Sequence, residues 1–282
     1  YIIVAGSSEP LLQGTLANNN PAVEALGVPN LFAETSKNLS AGITYKFDRN
    51  FSASFDFYQI NVDDRVLFSS QIGSDADDTT INPVEQILQD NGVVAVQFFI
   101  NAGDTKTTGA DLVLNYRNIE VGQNKLHANL AANFNETTID AIKTPQALAD
   151  NGYNIFERIE QGLITSARPK SKVIMGLDYE ADKFDIGLYN TLFGKVTITS
   201  PNGAQFDQEL SSKLATDLSL RYKFTDKFSI TGILNNMFDV YPDVTLASTG
   251  TAQAGSRFVY SSEVQQLGQL GTNWSLGINY RF

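Results

Sequence analysis

Trp274-Ser275-Leu276-Gly277-Ile278-Asn279-Tyr280-Arg281-Phe282 closes the sequence. Trp274, Leu276, Ile278, Tyr280 and Phe282 share one parity; Ser275, Gly277, Asn279 and Arg281 share the other. Side chains alternate between the two faces of a strand, so this stretch reads as a strand with one apolar and one polar face. An amphipathic strand at the end of a soluble sheet carries the same pattern. A strand that crosses an outer membrane needs about 9–11 alternating residues with aromatics at the interfaces, and this stretch has that length and ends on an aromatic.

The same rhythm recurs upstream. Leu39, Ala41, Ile43, Tyr45 and Phe47 alternate with Ser40, Gly42, Thr44 and Lys46, and Asp48-Arg49-Asn50 turns the chain into Phe51, Ala53, Phe55 and Phe57. A second hairpin is expected from Gly109–Tyr116 to Lys125–Phe134, with its turn around Asn118 to Asn124. A third runs from Lys172–Tyr179 through Ala181-Asp182 to Phe184–Tyr189, and a fourth from Leu214–Phe224 through Thr225-Asp226 to Phe228–Leu234. Each has the period-two signature of a half-exposed strand. Between them lie long stretches, about 69–92, 140–167 and 237–271, read as loops; Gln146–Asp150 and Val23–Leu26 are each expected to make one helical turn. Residues 1–34 are read as an extracellular loop, with a strand remnant at Tyr1–Val4.

Short and long connections therefore alternate, whereas soluble sheets mostly use connections of about 4–6 residues. The polar faces carry charges of both signs (Lys46, Asp56, Asp111, Lys125, Asp178, Asp185, Asp217, Arg221, Lys223). A dry sandwich core would have to pair every one of them, while a wet lumen solvates them. The apolar faces end in aromatics on the short-turn side, among them Tyr45, Phe47, Phe51, Tyr116, Tyr222, Phe224 and Phe228. That is the arrangement of an interfacial girdle. The fold class expected is an all-β, antiparallel transmembrane β-barrel over residues 35–282, with short turns toward the periplasm and long acidic loops outside. Nine strands are legible. Bacterial single-chain barrels have even counts, so either a tenth strand lies in residues 1–34 or the chain is the C-terminal part of a larger barrel.

Composition narrows the function. The 282 residues include no cysteine, which removes disulfides and thiolate metal sites. A net charge of −11 leaves no basic footprint for nucleic acid. The longest apolar stretch, Val93–Ile100, is interrupted by Gln97 and too short for a spanning helix. The chain opens on Tyr1-Ile2-Ile3-Val4 without a signal peptide, so it is expected to be a mature product or a portion of a longer chain.

Several segments together resemble the C-terminal barrel of TonB-dependent outer-membrane receptors. Glu34-Thr35-Ser36-Lys37-Asn38-Leu39 followed by Gly42 is similar to that family's strand opening, with Ala33 in place of a proline. Tyr58-Gln59-Ile60 with Asp64-Arg65-Val66, then Thr108-Gly109-Ala110-Asp111-Leu112, then Asn235-Asn236-Met237-Phe238-Asp239 with Tyr241, resemble its later elements in order. The terminal strand, with Trp274, Leu276, Ile278, Tyr280 and Phe282, resembles the signal that the barrel-assembly machinery reads. The resemblance implies a partial barrel, about 9–10 of 22 strands, in outer-membrane lipid. It implies energy-coupled uptake of a scarce small extracellular ligand, such as a siderophore, cobalamin or an oligosaccharide, with no enzyme activity and no cofactor. It also implies coupling to the TonB complex through an N-terminal region; no segment of this chain resembles a plug domain or a TonB box. The alternative is a self-contained small outer-membrane barrel, structural or hydrolytic.

Candidate site residues follow from these readings. Loop aromatics Tyr153, Phe156, Phe258 and Tyr260 either stack on a ligand or pack the loops. His127, the sole histidine, falls on the lumen face by parity, as a solvated lumen residue or, in a hydrolytic barrel, a catalyst. Asp75, Asp77 and Asp78 form an acidic loop; it lacks the glycine and terminal glutamate of an EF-hand, and no metal is expected.

Overall fold

The computed structural model describes residues 12–73, 81–250 and 259–282. Tyr1–Val4, the acidic group Asp75, Asp77 and Asp78, and Phe258 lie outside the described residues. Among the described residues the main sheet has nine strands: β1 (Thr35–Lys46), β2 (Phe51–Phe68), β3 (Phe99–Val121), β4 (Asn124–Ile142), β5 (Ser171–Glu180), β6 (Phe184–Phe193), β7 (Lys213–Thr225), β8 (Phe228–Asn235) and β9 (Asn273–Tyr280). Each pairs with its neighbours in sequence, so the sheet is a meander with β1 and β9 at its edges. The chain forms two compact units, and β1–β4 contribute residues to both.

In the unit holding residues 39–59, 108–136 and 165–282, the register aligns side chains by kind. Ala128, Leu177, Leu188, Leu218, Leu234 and Trp274 fall on one cross-strand row. On the opposite face, Lys125, Glu180, Asp185, Arg221 and Thr231 fall on another. A one-residue slip would exchange the two faces, so the alternation itself specifies the register. The apolar rows are exposed: Ile43 by 68%, Trp274 by 77% and Ile278 by 71%. Apolar exposure on this scale marks a surface meant for a nonaqueous neighbour, and it excludes the soluble sandwich, whose sheets would bury these rows.

The turns are local and short. Asp48 Oδ1 accepts from the Asn50 and Phe51 N–H groups at 2.6 and 2.7 Å, and those donors hold the carboxyl below its usual range. Gly122, at φ 65°, supplies the left-handed residue of the β3–β4 turn. This turn is tighter than the 118–124 segment expected, because β3 runs on to Val121 and the return starts at Asn124. Aromatic pairs gather beside these turns: Phe47–Phe51 at 4.9 Å, Phe51–Tyr116 at 5.7 Å, Phe224–Phe228 at 5.2 Å and Tyr280–Phe282 at 5.3 Å.

The other unit holds residues 1–38, 60–107 and 137–164; the helical turns expected at Val23–Leu26 and Gln146–Asp150 are present as Pro21–Ala25 and Gln146–Ala149, and further strands and helices stand in stretches read as loops. Leu12–Thr15 pairs in parallel with Val93–Gln97, which also pairs with Ile72–Gly73. Helices Pro21–Ala25, Pro83–Asp90, Gln146–Ala149 and Arg158–Thr165 accompany this small sheet. Ala22, Val23, Leu26, Val84, Leu88, Phe98, Leu148 and Ile155 are buried in one core. The apolar stretch at 93–100 is thus the centre of a folded module. Two helices were hidden in polar text. For Pro83–Asp90 the signal was present: Asn82 accepts from the Val84 and Glu85 N–H groups and Glu85 accepts from Asn82, a capping box ahead of Leu88. The Ser70 hydroxyl donates to Glu160 at 2.6 Å and accepts from the Glu157 N–H at 2.8 Å, beside the other helix.

Candidate functional site

The polar face of β3–β8 encloses a recess of about 550 Å³, lined by Arg117, His127, Asp178, Glu180, Asp185 and Arg221 among others. Sheet pairing brings these groups together. His127 opposes Asp178, and Lys125 opposes Glu180. His127 Nδ1 accepts from the Asn118 N–H at 3.2 Å, which places the imidazole proton on Nε2, 3.6 Å from Glu180 Oε2. Tyr189 donates to Asp178, and Lys223 Nζ lies 2.6 Å from Asp185. Asn133 donates to Tyr58 and Asp111, at 3.1 and 2.7 Å. The face is therefore a laced, wettable surface of paired charges, suited to passing or holding polar groups. His127 sits between a backbone N–H and a carboxylate, an arrangement that positions the ring. Among the described residues no group of three or more His, Asp or Glu side chains is placed to hold a metal ion.

The loop aromatics fare differently from one another. Phe156 is 3% exposed and belongs to the buried core, so it presents no ring to a ligand; the alternative, loop packing, is what it does. Tyr153 packs against that core, and its hydroxyl accepts from Asn82 Nδ2 at 2.8 Å. Tyr260 lies parallel to Tyr241, with centroids 6.0 Å apart. Trp274, Leu276, Ile278, Tyr280 and Phe282 all stand exposed along β9 and its end.

The motifs noted in the sequence lie within strands or at their ends, and their side chains bond between neighbouring segments. Glu34 Oε1 accepts from the Val66 N–H at 2.9 Å. Asp64 adopts φ 55°, accepts from Lys143 Nζ at 2.6 Å, and lies beside Asp104, whose Oδ1 accepts the Asp64 N–H at 2.9 Å. Lys143 also reaches Asp104 at 2.7 Å. Gly109 leaves room for the Tyr58 ring, which a Cβ there would meet. Asn236 and Asp239 both have left-handed φ, 49° and 56°. The Asn236 side chain bridges to Val240, and Asp239 accepts from the Thr272 N–H at 2.9 Å, tying the start of the 237–271 loop to its end. Asn and Asp tolerate that conformation better than other residues with a Cβ. The motif chemistry is conformational.

The sequence matches the family model described as TonB dependent receptor-like, beta-barrel, over residues 4–237. The chain belongs to this family of TonB-dependent receptor barrels. Its location is accordingly the outer membrane of a Gram-negative cell. Solved structures show the same fold. The FrpB iron transporter from Neisseria meningitidis (F3-3 variant) is 16% identical with a TM-score of 0.57, covering 90% of this chain and 32% of that one. The ferric yersiniabactin uptake receptor FyuA from Yersinia pestis is 15% identical with a TM-score of 0.52, covering 88% and 30%. The outer membrane transporter YddB from Escherichia coli is 13% identical with a TM-score of 0.52, covering 74% and 29%. This receptor barrel chain thus spans about three-tenths of the length of those structures. Comparison with curated protein sequences finds no match.

Proposed function

We propose that residues 35–282 form the C-terminal part of a barrel of about 22 strands, with residues 1–34 as an extracellular loop, in a receptor that takes up a scarce ligand by energy coupling. The observation that carries the reading is the nine-strand meander with an exposed apolar face and a charged inner face, in a chain of this family. The loops and the polar face are the ligand's vestibule. Coupling runs through the TonB complex and an N-terminal region outside this chain. The terminal residues Trp274–Phe282 are the recognition signal for the barrel-assembly machinery. The protein moves its ligand without breaking a bond. Two of the similar structures are an iron transporter and a ferric yersiniabactin uptake receptor, so a ferric siderophore is the first ligand to test, ahead of cobalamin and oligosaccharides.

The test is uptake by the whole receptor in its host. Deleting its gene should abolish accumulation of one labelled ligand class, and a protonophore should stop accumulation while leaving surface binding intact. Accumulation of all three classes unchanged by deletion, or indifferent to the protonophore, refutes the proposal. The intact polypeptide should also be roughly two- to threefold heavier than the 30.8 kDa of this chain.

A further inference from the structure

The polar face ends in a charge excess. At the foot of β6–β9 it holds a recess of about 360 Å³ whose lining carries five cations, Lys183, Arg221, Lys223, Lys227 and Arg281, against the carboxylates of Asp182 and Asp226. Lys223 is taken, since Asp185 accepts from its Nζ at 2.6 Å. Among the described residues the other four form no ion pair; Arg221 Nε donates to the Ser229 hydroxyl at 3.3 Å. A chain of net charge −11 thus gathers unpaired cations at one spot. Turn and strand-end hydrogen bonds hold two of them in place. Thr225 Oγ1 accepts from the Lys227 and Phe228 N–H groups at 3.2 and 3.0 Å, and the Arg281 N–H donates to the Lys227 carbonyl at 2.8 Å. Three tight turns repeat the order acid then base, in Asp48-Arg49, Asp182-Lys183 and Asp226-Lys227, and each base stands exposed.

The spread of these charges selects the occupant. Lys223, Ser229 and Asn279 share one cross-strand row on the polar face, so the recess opens on the side of the sheet away from lipid. From Lys183 at the start of β6 to Arg281 beyond β9 is three strand spacings, about 14 Å at roughly 4.8 Å each. An ion the size of phosphate meets donors at one point. Cations spread over that width match carboxylates along an extended chain, where residues of one face recur about every 6.7 Å. Three carboxylates at alternate positions span the recess. Arg221 and Arg281 offer forked donors that hold a carboxylate at both oxygens, and the lysines add point charges. Lys183, Lys227 and Arg281 stand in the turns and at the strand end, where a chain arriving from the periplasm meets them first. We propose that this recess docks an acidic, extended segment of a separate periplasmic polypeptide, with carboxylates at alternate positions. The inference rests on the orientation read above, with the short turns toward the periplasm.

The probe is a fluorescent peptide, Gly-Asp-Ser-Asp-Ser-Asp-Gly, titrated by anisotropy onto the full receptor in phosphatidylcholine nanodiscs, folded as judged by heat-modifiable mobility. Replacing its aspartates by asparagine should weaken binding about tenfold, and so should Lys183→Gln with Lys227→Gln and Arg281→Gln, as several weak exposed pairs combine. Lys195→Gln, at an exposed lysine paired with Glu209, should leave binding unchanged. If the triple variant does not fold, Lys227→Gln alone takes its place, with a loss of about threefold. Equal affinity for the two peptides, or for wild type and the charge variants, refutes the proposal. Displacement of the peptide by equimolar inorganic phosphate also refutes it, by assigning the recess to small anions. In cells, a photocrosslinker at position 227 should capture a separate polypeptide, and Lys183→Gln with Arg281→Gln should reduce the capture; a crosslink confined to the receptor itself would overturn the docking. A membrane-impermeant maleimide reads the orientation separately. Lys227→Cys should react only after the outer membrane is permeabilised, and reaction on intact cells would overturn the orientation and with it the periplasmic partner.

Discussion

Replacing Phe98 by alanine tests whether residues 12–34, 83–107 and 137–164 form a cooperative core. Phe98 is fully buried, and its backbone exchanges hydrogen bonds with Ser69: the Phe98 N–H donates to Oγ at 3.0 Å and its carbonyl accepts the Ser69 N–H at 2.9 Å. A buried phenylalanine removes about 150–250 Å² from water, worth roughly 4–6 kcal/mol at about 25 cal/mol/Å². Part of that area survives in alanine, and truncation leaves a cavity, so the net cost is about 3–5 kcal/mol. If this unit opens by itself, amide protection in its helices and small strands should fall by about 10²- to 4 × 10³-fold, at tenfold per 1.4 kcal/mol. Phe57→Ala is the control, since Phe57 is exposed on the apolar face and lipid replaces the lost ring. The assay is hydrogen exchange with mass spectrometry on the receptor in nanodiscs, read over 12–28, 83–97 and 145–164 and over β5–β8. Protection within threefold of wild type would refute the buried-core reading. Equal loss over β5–β8 would refute the division into two compact units.

Three further outcomes follow from charge and the terminal strand. Lys143→Met leaves the partly exposed carboxylates of Asp64 and Asp104 without their shared cation, and should cost about 0.2–1 kcal/mol in local stability, read as faster limited proteolysis; adding Asp104→Asn should recover part of it. The same bonds to Asp104, then Asp64, raise the Lys143 pKa above its ordinary 10.5, so this contribution is complete below that pH and fades only as pH rises through the higher folded value, which an alkaline proteolysis series checks. Asp243 is pushed up by burial, but Lys213 and Ser211 outweigh that and hold it below its ordinary 3.8. Its contribution is therefore present above that pH and lost as pH falls through the lower folded value. Asp243→Asn should loosen the 237–271 loop already at neutral pH, by about 2–3 kcal/mol in amide exchange. Removing Phe282 should lower the folded, heat-modifiable fraction in the outer membrane severalfold while leaving synthesis unchanged; an unaltered fraction would refute its role as an assembly signal.

The sheet was legible because its physics is local. Period two in Leu39–Phe47, Lys172–Tyr179 and Trp274–Phe282 states which side meets water and which does not, and that requirement needs no knowledge of the partner strand. The alternation of tight turns with long connections likewise belongs to the chain. The module around Phe98 was not legible, because the apolar 93–100 stretch packs with Val23, Leu88, Leu148 and Ile155, residues that come from separate, mostly polar parts of the sequence. Phe156 shows the cost of that blindness: an aromatic in an apparent loop reads equally as ligand-facing or as loop packing until its neighbours are known. His127 shows the reverse, since parity placed it on the polar face while only the fold brought Glu180 and the Asn118 N–H to its two nitrogens.

What the amino-acid sequence determined by itself was the barrel class and the face each side chain occupies, since both follow from alternation along the strands. Tertiary structure alone decided which polar groups meet across strands and that the long connections fold around a core. Those outcomes depend on residues brought together from distant parts of the chain, and no single stretch of it encodes them.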